Sequence, residues 1–530
     1  MSKYFRLTIL FLILAEIFSF CGFLYPVFNK ACFFAILILA LILSLEKLEY
    51  GIYIMLAELF IGSFGYLFFY EIGGTAISIR IGFFLIIMSV WLTKFLINKK
   101  ERKEFLDKLK ENKFAPLNKS IDSIEDKKAG TYLTGFLKYY FLLFLFLAWG
   151  VIWGLIRKNG ISNVFFDANS YLYFALIFPF VYAIKEKEHL KAIFEILIAS
   201  IIILSLKTIF LLFIFSHKMY YAMEFLYRWV RDFRLGEITL WQGGFYRIFF
   251  QSHIYVLIAL FFAVASMLPE CNKMLQSNSR KIQNSKLKIQ NGSVKLKIFS
   301  FNFLLFILFL SVILLGMSRS FWVGGFIAVI AMYIVFIFKL KYSWKKLAKF
   351  TLQLALGMIL SLALIFLVVQ FPYPKESAEF SVDLLSERAS SVSGEAGASS
   401  RWNLLPVLTR VIINHPIIGS GFGSTITYKS GDPRVLASSP TGEYTTYAFE
   451  WGYLDIIFKI GFAGMLAYLF LVWKIFKEYW NILRETYSVN VLGCMLAVIV
   501  ILATSVFSPY MNHPLGIGYL MLCNVILLIV

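Results

Sequence analysis

Two strings in the chain set reactive side chains next to backbone that can make room for them. The first is Gly316-Met317-Ser318-Arg319-Ser320-Phe321-Trp322, lying between two apolar stretches. A guanidinium beside lipid is costly unless something answers its charge, so Arg319 is a candidate functional residue. The second begins at Arg401-Trp402, reaches His415-Pro416 and continues as Ile417-Ile418-Gly419-Ser420-Gly421-Phe422-Gly423. Glycine lets backbone turn tightly and approach a ligand with no Cβ in the way, which makes Gly419, Gly421 and Gly423 candidate binding positions. The string does not open a helix after a strand, so it does not suit a dinucleotide site. Arg401 starts this segment and Glu450 ends it, just before another apolar run. Arginine offers a planar fork for paired anionic oxygens. A partly desolvated carboxyl can act as a base near neutral pH.

Other polar residues have simpler readings. Arg247, in Gly243-Gly244-Phe245-Tyr246-Arg247 at the start of an apolar run, is a third basic candidate, and snorkelling to headgroups accounts for it. Apolar residues at 404, 405, 408, 411 and 412 predict a short helix, which ends at His415 because Pro416 disfavours helical geometry there. His513, in Asn512-His513-Pro514, can approach the same face, whereas His253 reads as an interhelical hydrogen-bonding group. Cys21, Cys32, Cys494 and Cys523 lie in apolar runs and Cys271 in a basic loop, with no spacing that suits zinc or predicts disulfides.

The elements that must position these residues are membrane spans. Of 530 residues, 60% are hydrophobic and 15% charged, against about 45–50% and about 25% in soluble proteins, which excludes a soluble enzyme. Apolar runs fall near 6–25, 30–45, 51–70, 79–98, 133–155, 171–184, 192–215, 250–268, 299–317, 321–338, 351–371, 453–473, 489–507 and 514–530. They predict an all-α polytopic bundle of about 12–14 transmembrane helices. The net charge of +20 would suggest nucleic acid on a soluble fold; here Lys and Arg gather in alternate connections, as cytoplasmic loops require. Both termini are then expected in the cytoplasm. The connections near 71–78, 156–170, 216–248, 318–320, 372–450 and 508–513 are expected outside, and the first run is read as a retained span. Glu16 and Glu58 stand as isolated charges within the apolar runs.

Three organisational units follow: a helix bundle over 1–371, an extracytoplasmic loop over 372–450 carrying short helices, and C-terminal spans over 451–530. Two cytoplasmic loops interrupt the first. Loop 99–131 mixes ten Lys/Arg with seven Asp/Glu and reads as a solvated positive-inside loop. Loop 269–298 repeats Lys281-Ile282-Gln283-Asn284 at Lys288-Ile289-Gln290-Asn291 and reads as a low-complexity insertion. The outer loop, with eight acidic and six basic residues, is where chemistry is expected.

Taken together, the Ser318-Arg319 string, the helix opened by Arg401-Trp402 with its His-Pro-Ile-Ile-Gly-Ser-Gly-Phe-Gly continuation, and Gly452-Tyr453-Leu454-Asp455 followed by Lys459-Ile460-Gly461-Phe462-Ala463-Gly464 resemble the O-antigen ligase and polymerase family. The resemblance covers roughly residues 300–470. It implies a glycosyltransferase of the bacterial inner membrane with a C-type fold, no cofactor, and a metal-independent periplasmic site. The implied donor is a polyprenyl-diphosphate-linked glycan. The acceptor is a hydroxyl of lipid A core, of another lipid-linked glycan or of a protein, with a chain-length regulator as a possible partner. On this reading Arg319 and Arg401, with Arg247 behind them, hold the leaving diphosphate. Ligases of the family carry a His two residues before the Gly-Tyr-Leu string. Glu450 stands there instead, followed by Trp451, which suits a polymerase or another subgroup better than a ligase. Glu450 is then the expected base, with Glu443 and Asp455 as substitutes. Trp241, Tyr246, Phe422 and Tyr444 can stack on sugars but also fit an interfacial aromatic belt. A lipid-linked glycan flippase and a catalytically degenerate assembly subunit are the rival readings.

Overall fold

The computed structural model describes residues 2–100, 102–103, 124–267, 293–374, 378–390, 396–485 and 488–529. Most of loops 99–131 and 269–298, including the repeat and Cys271, lies outside the described residues. Each of the fourteen apolar runs carries helical backbone, because in hydrocarbon a helix satisfies every peptide group within its own segment.

The chain begins with α1 (Lys3–Leu24), α2 (Pro26–Glu46) and α3 (Leu48–Ile61), then a hairpin of β1 (Phe69–Ile72) and β2 (Thr75–Ser78). Next come α4 (Ile79–Ile97), α5 (Ile124–Ile156), α6 (Ile161–Ala168), α7 (Ile177–Ala183), α8 (Lys187–Ser216) and α9 (Tyr220–Asp232). A second hairpin, β3 (Gly236–Leu240) and β4 (Tyr246–Phe250), precedes α10 (His253–Ser266), α11 (Ser293–Leu315), α12 (Arg319–Ile334) and α13 (Trp344–Val369). The long loop holds α14 (Val382–Ser390), α15 (Ala396–Asn414), β5 (Ile426–Lys429), α16 (Pro433–Ser438) and β6 (Glu443–Thr446), with β5 antiparallel to β6. The chain closes with α17 (Gly452–Glu485), α18 (Val489–Thr504) and α19 (Pro514–Ile529).

Among the described residues, nine helical stretches are long and apolar enough to cross a membrane, and four shorter apolar helices accompany them. The expected 12–14 spans are thus nine of full length. The run at 51–70 illustrates the difference: α3 stops at Ile61, and Ser63 and Gly65 then take left-handed backbone that turns the chain toward the first hairpin. Among the described residues, three two-stranded hairpins accompany the helices of this all-α bundle.

Burial locates the centre. Only 17% of the apolar window of α1 is covered by protein, against 67% for α17, so α1 is peripheral and α17 central. Helices α18 and α19 are apolar on every side and buried almost throughout, as helices enclosed by other helices must be. α12 packs on α18, α10 on α11 and α18, and α17 on α5.

Glu16 and Glu58, expected to be isolated, are paired. Arg80 Nε meets Glu58 Oε2 at 2.9 Å and Lys207 Nζ meets Glu16 Oε2 at 2.8 Å. Each partner lies on another helix, where an apolar setting requires one. Two of the connections expected outside touch each other: Ala378 N–H donates to Ser216 O and Glu379 N–H to Gly243 O.

Candidate functional site

α11 ends at Leu315 and α12 begins at Arg319, so a short turn lies between two apolar helices. Met317 takes φ +43° in that turn, and its neighbours' carbonyls collect arginines. Arg247 Nε donates to Gly316 O at 2.9 Å and Arg388 Nε to Met317 O at 3.1 Å, while Arg319 Nε donates to Arg388 O at 2.7 Å. Trp241 lies under Arg388 at 5.1 Å, Phe249 under Arg247 at 5.1 Å, and Glu237 lies 3.4 Å from Arg247. These contacts fix the plane of each fork. Arg247 is therefore tied into the protein on β4, not snorkelling from the start of a span. Arg388 escaped sequence reading because Glu387-Arg388-Ala389 carries no motif; only the fold brings it beside Arg319.

Arg401 and Glu450, expected as diphosphate clamp and base, are an ion pair with each other. The two side chains are 45% and 54% exposed, so Glu450 is not desolvated as expected. The helix bearing Arg401 opens earlier than the sequence reading placed it, at Ala396, and ends at Asn414 as expected. Trp451 Nε1 donates to the Arg401 carbonyl at 3.1 Å, and its ring touches Trp402 and Phe507, each at 5.6 Å. Beyond Phe507, Ser508 Oγ donates to Ser320 Oγ at 2.9 Å. A continuous run of contacts thus leads from Arg401 and Glu450, through the 505–513 turn, to the residue after Arg319.

The three candidate binding glycines are placed against protein backbone. Gly419, Gly421 and Gly423 have φ of +73°, +83° and +77°. A Cβ on Gly419 would stand 2.6 Å from Gly461 N, and one on Gly421 2.5 Å from Gly154 N. Ser420 N–H donates to Phe458 O at 2.7 Å, Gly421 N–H to Lys459 O at 3.0 Å and Phe422 N–H to Gly150 O at 2.9 Å. The close approach these glycines permit is to α5, α6 and α17. Gly461 completes the fit: α17 breaks there (φ +73°, ψ 177°), and its freed amides reach Pro416 and Ile417 carbonyls.

Beneath this string Lys459, fully buried, pairs with Asp167 at 2.5 Å and donates to Tyr447 O at 2.6 Å and Ser424 O at 3.2 Å. Asp167 Oδ2 also accepts the Gly423 amide at 2.7 Å. Lys459 had a visible signal, a charge inside the apolar run 453–473; Asp167 had none. Asp455, one turn before Lys459, is 3% exposed and accepts a 2.5 Å hydrogen bond from Asn512 Nδ2.

The remaining candidates are structural in their placement. His415 Nε2 lies 3.2 Å from Arg157 Nη2, and His253 Nε2 lies 3.0 Å from Thr208 Oγ1. His513 Nδ1 accepts the Leu515 amide at 3.3 Å at the start of α19. Burial, with the Arg80 charge, pushes His513 down to about 3, so its imidazole is neutral at physiological pH. Glu443 lies opposite Lys429 on the exposed β5–β6 hairpin. Phe422 is buried against Tyr171, Tyr246 packs on Phe215, and Tyr444 packs on Tyr428.

Residues 304–469 match the family model described as O-antigen ligase. No curated protein matches the chain. The matched segment holds the Arg319 turn, the Arg401 helix, the glycine string and the Gly461 break, and it supports assignment to the O-antigen ligase and polymerase family.

Proposed function

We propose that the protein is an inner-membrane glycosyltransferase that moves a polyprenyl-diphosphate-linked glycan onto a hydroxyl acceptor at the periplasmic end of the bundle, with both termini in the cytoplasm. The observation that carries this reading is the gathering of Arg247, Arg319 and Arg388 around one turn, joined by contacts to the Arg401–Glu450 pair. Breaking the glycosyl–diphosphate bond leaves its electron pair on the diphosphate, and planar guanidinium forks stabilise that charge in place of a metal ion. The acceptor oxygen bonds to the anomeric carbon from the opposite face, with inversion, and its proton passes to the Glu450 carboxylate. Arg401 has two anionic partners on this scheme: Glu450 at rest, and the diphosphate once donor binds. Arrival of the donor draws Arg401 away and leaves Glu450 to take the proton. A Glu in place of the family's usual His favours polymerase over ligase.

The test is transfer in liposomes carrying polyprenyl-diphosphate oligosaccharide, read as released polyprenyl diphosphate and glycan length. Longer glycan from the donor alone supports a polymerase, and release that requires lipid A core supports a ligase. Movement of labelled donor across the bilayer without release overturns the enzyme reading in favour of a flippase. Neither release nor movement with any acceptor favours a degenerate assembly subunit.

A further inference from the structure

Two carboxyl groups and one ammonium are enclosed together at the head of α17. Lys459 is 0% exposed, Asp455 3%, and the Asp167 side chain 8%. The groups facing Asp455 are Lys459 from its own helix, Asp167 from α6, Tyr171 from the turn after α6, Asn512 from the 505–513 turn, and the Phe449 amide. Among the described residues Lys459 is the cation of this set, and it lies 2.5 Å from Asp167. With both carboxyls ionised the enclosed group would carry a net negative charge, which a low-dielectric setting strongly disfavours.

Hydrogen-bond accounting reaches the same deficit independently. Asn512 Nδ2 donates to Asp455 Oδ2 at 2.5 Å, yet Asp455 Oδ1 and Asn512 Oδ1 are both buried and have no hydrogen-bond partner among the described residues. An ionised carboxylate only accepts, and an amide oxygen only accepts. Two facing acceptors cannot satisfy each other, and most buried polar groups in proteins are hydrogen-bonded, so this pair lacks one hydrogen. Turning the amide over does not supply it, because an oxygen would then face the carboxyl oxygen at the same 2.5 Å.

We propose that Asp455 holds a proton and is joined to Asn512 as a carboxyl–amide ring, its Oδ1–H donating to Asn512 Oδ1 while its Oδ2 accepts from Nδ2. One proton satisfies both orphan oxygens and brings the enclosed charge to zero. Asp455 is thereby a positioning residue. The ring fastens the 505–513 turn to the first turn of α17, where a Cβ on Gly452 would stand 2.5 Å from Ser505 O. That turn carries Phe507 against Trp451 and Ser508 against Ser320.

The experiment is infrared spectroscopy of the full chain in nanodiscs at pH 7, in H2O and D2O, comparing wild type with Asp455→Asn. The expected difference is the loss of a protonated-carboxyl C=O band that shifts in D2O. Asp455→Asn keeps the wild-type melting temperature, because an amide closes the same ring by donating to Asn512 Oδ1, while Asp455→Leu melts lower. Loss of ionised-carboxylate bands instead overturns the proposal. If Asp455→Asn does not fold, Asn512→Leu serves: the carboxyl band moves as its amide partner disappears, and an unmoved band overturns the proposal.

Discussion

Lys459 and Asp167 meet at 2.5 Å inside the protein, and the oxygen that faces the ammonium also receives the Gly423 amide. One pair thus holds the glycine string, α6 and α17 together, and through the Lys459 bond to Tyr447 O it also holds the segment that leads to Glu450. Removing one member of a buried pair costs about 3–5 kcal/mol because the other charge is stranded. Lys459→Met is expected to lower thermal stability in detergent by that order. Adding Asp167→Asn, which removes the stranded charge, recovers part of it.

The glycine string gives a sharper contrast. Gly421→Ala must place a Cβ 2.5 Å from Gly154 N at φ +83°, and Gly461→Ala must place one 2.0 Å from Ile417 O. Both are expected to prevent normal folding or melt far below wild type. Gly73→Ala, at φ +55° with nothing within 4 Å, bears only the left-handed cost of about 1–2 kcal/mol. Equal melting temperatures for the three would contradict this packing.

Arg401 and Glu450 separate stability from activity. Exposed ion pairs contribute about 0–1 kcal/mol, so Glu450→Gln and Arg401→Ala leave the melting temperature nearly unchanged. On the proposed reaction both abolish most transfer, and Glu450→Gln also removes the acid limb of the pH–rate profile. Wild-type rates in Glu450→Gln would assign the base elsewhere.

Arg319 and Arg388 are expected to act on the leaving group. Losing one stabilising donor costs about 10²–10³ in kcat, so Arg319→Ala and Arg388→Ala should each lose at least that order in polyprenyl diphosphate release. Arg319→Lys keeps the charge but lacks the fork and its Nε bond to Arg388 O, and recovers only part of the rate.

His513 gives a pH prediction. Its folded value, about 3, lies below the ordinary 6.5, so the unfolded chain binds the proton first as pH falls. The stability that the neutral ring contributes is fully present above about 6.5 and declines as pH drops from there toward 3. In His513→Asn the melting temperature is expected to fall less steeply over that window. The same variant leaves the pH–rate profile between 5 and 8 unchanged, since the imidazole does not titrate there.

The helices and the strings that matter were legible in the sequence because their causes are local. An apolar run in hydrocarbon becomes a helix through bonds within its own segment. Pro416 ends α15 near His415 through backbone geometry alone. The alternation of basic connections sorted the loops into two expected sides. What the tertiary structure decided is which charge answers which. Glu16 with Lys207, Glu58 with Arg80, Asp167 with Lys459 and Arg401 with Glu450 join residues far apart in the chain. Arg388 reaches the Arg319 turn only because α14 folds back over it. The glycines show the same division: their left-handed backbone was open to expectation from residue type, but whether ligand or protein fills the space beside them depends on the helices that arrive there.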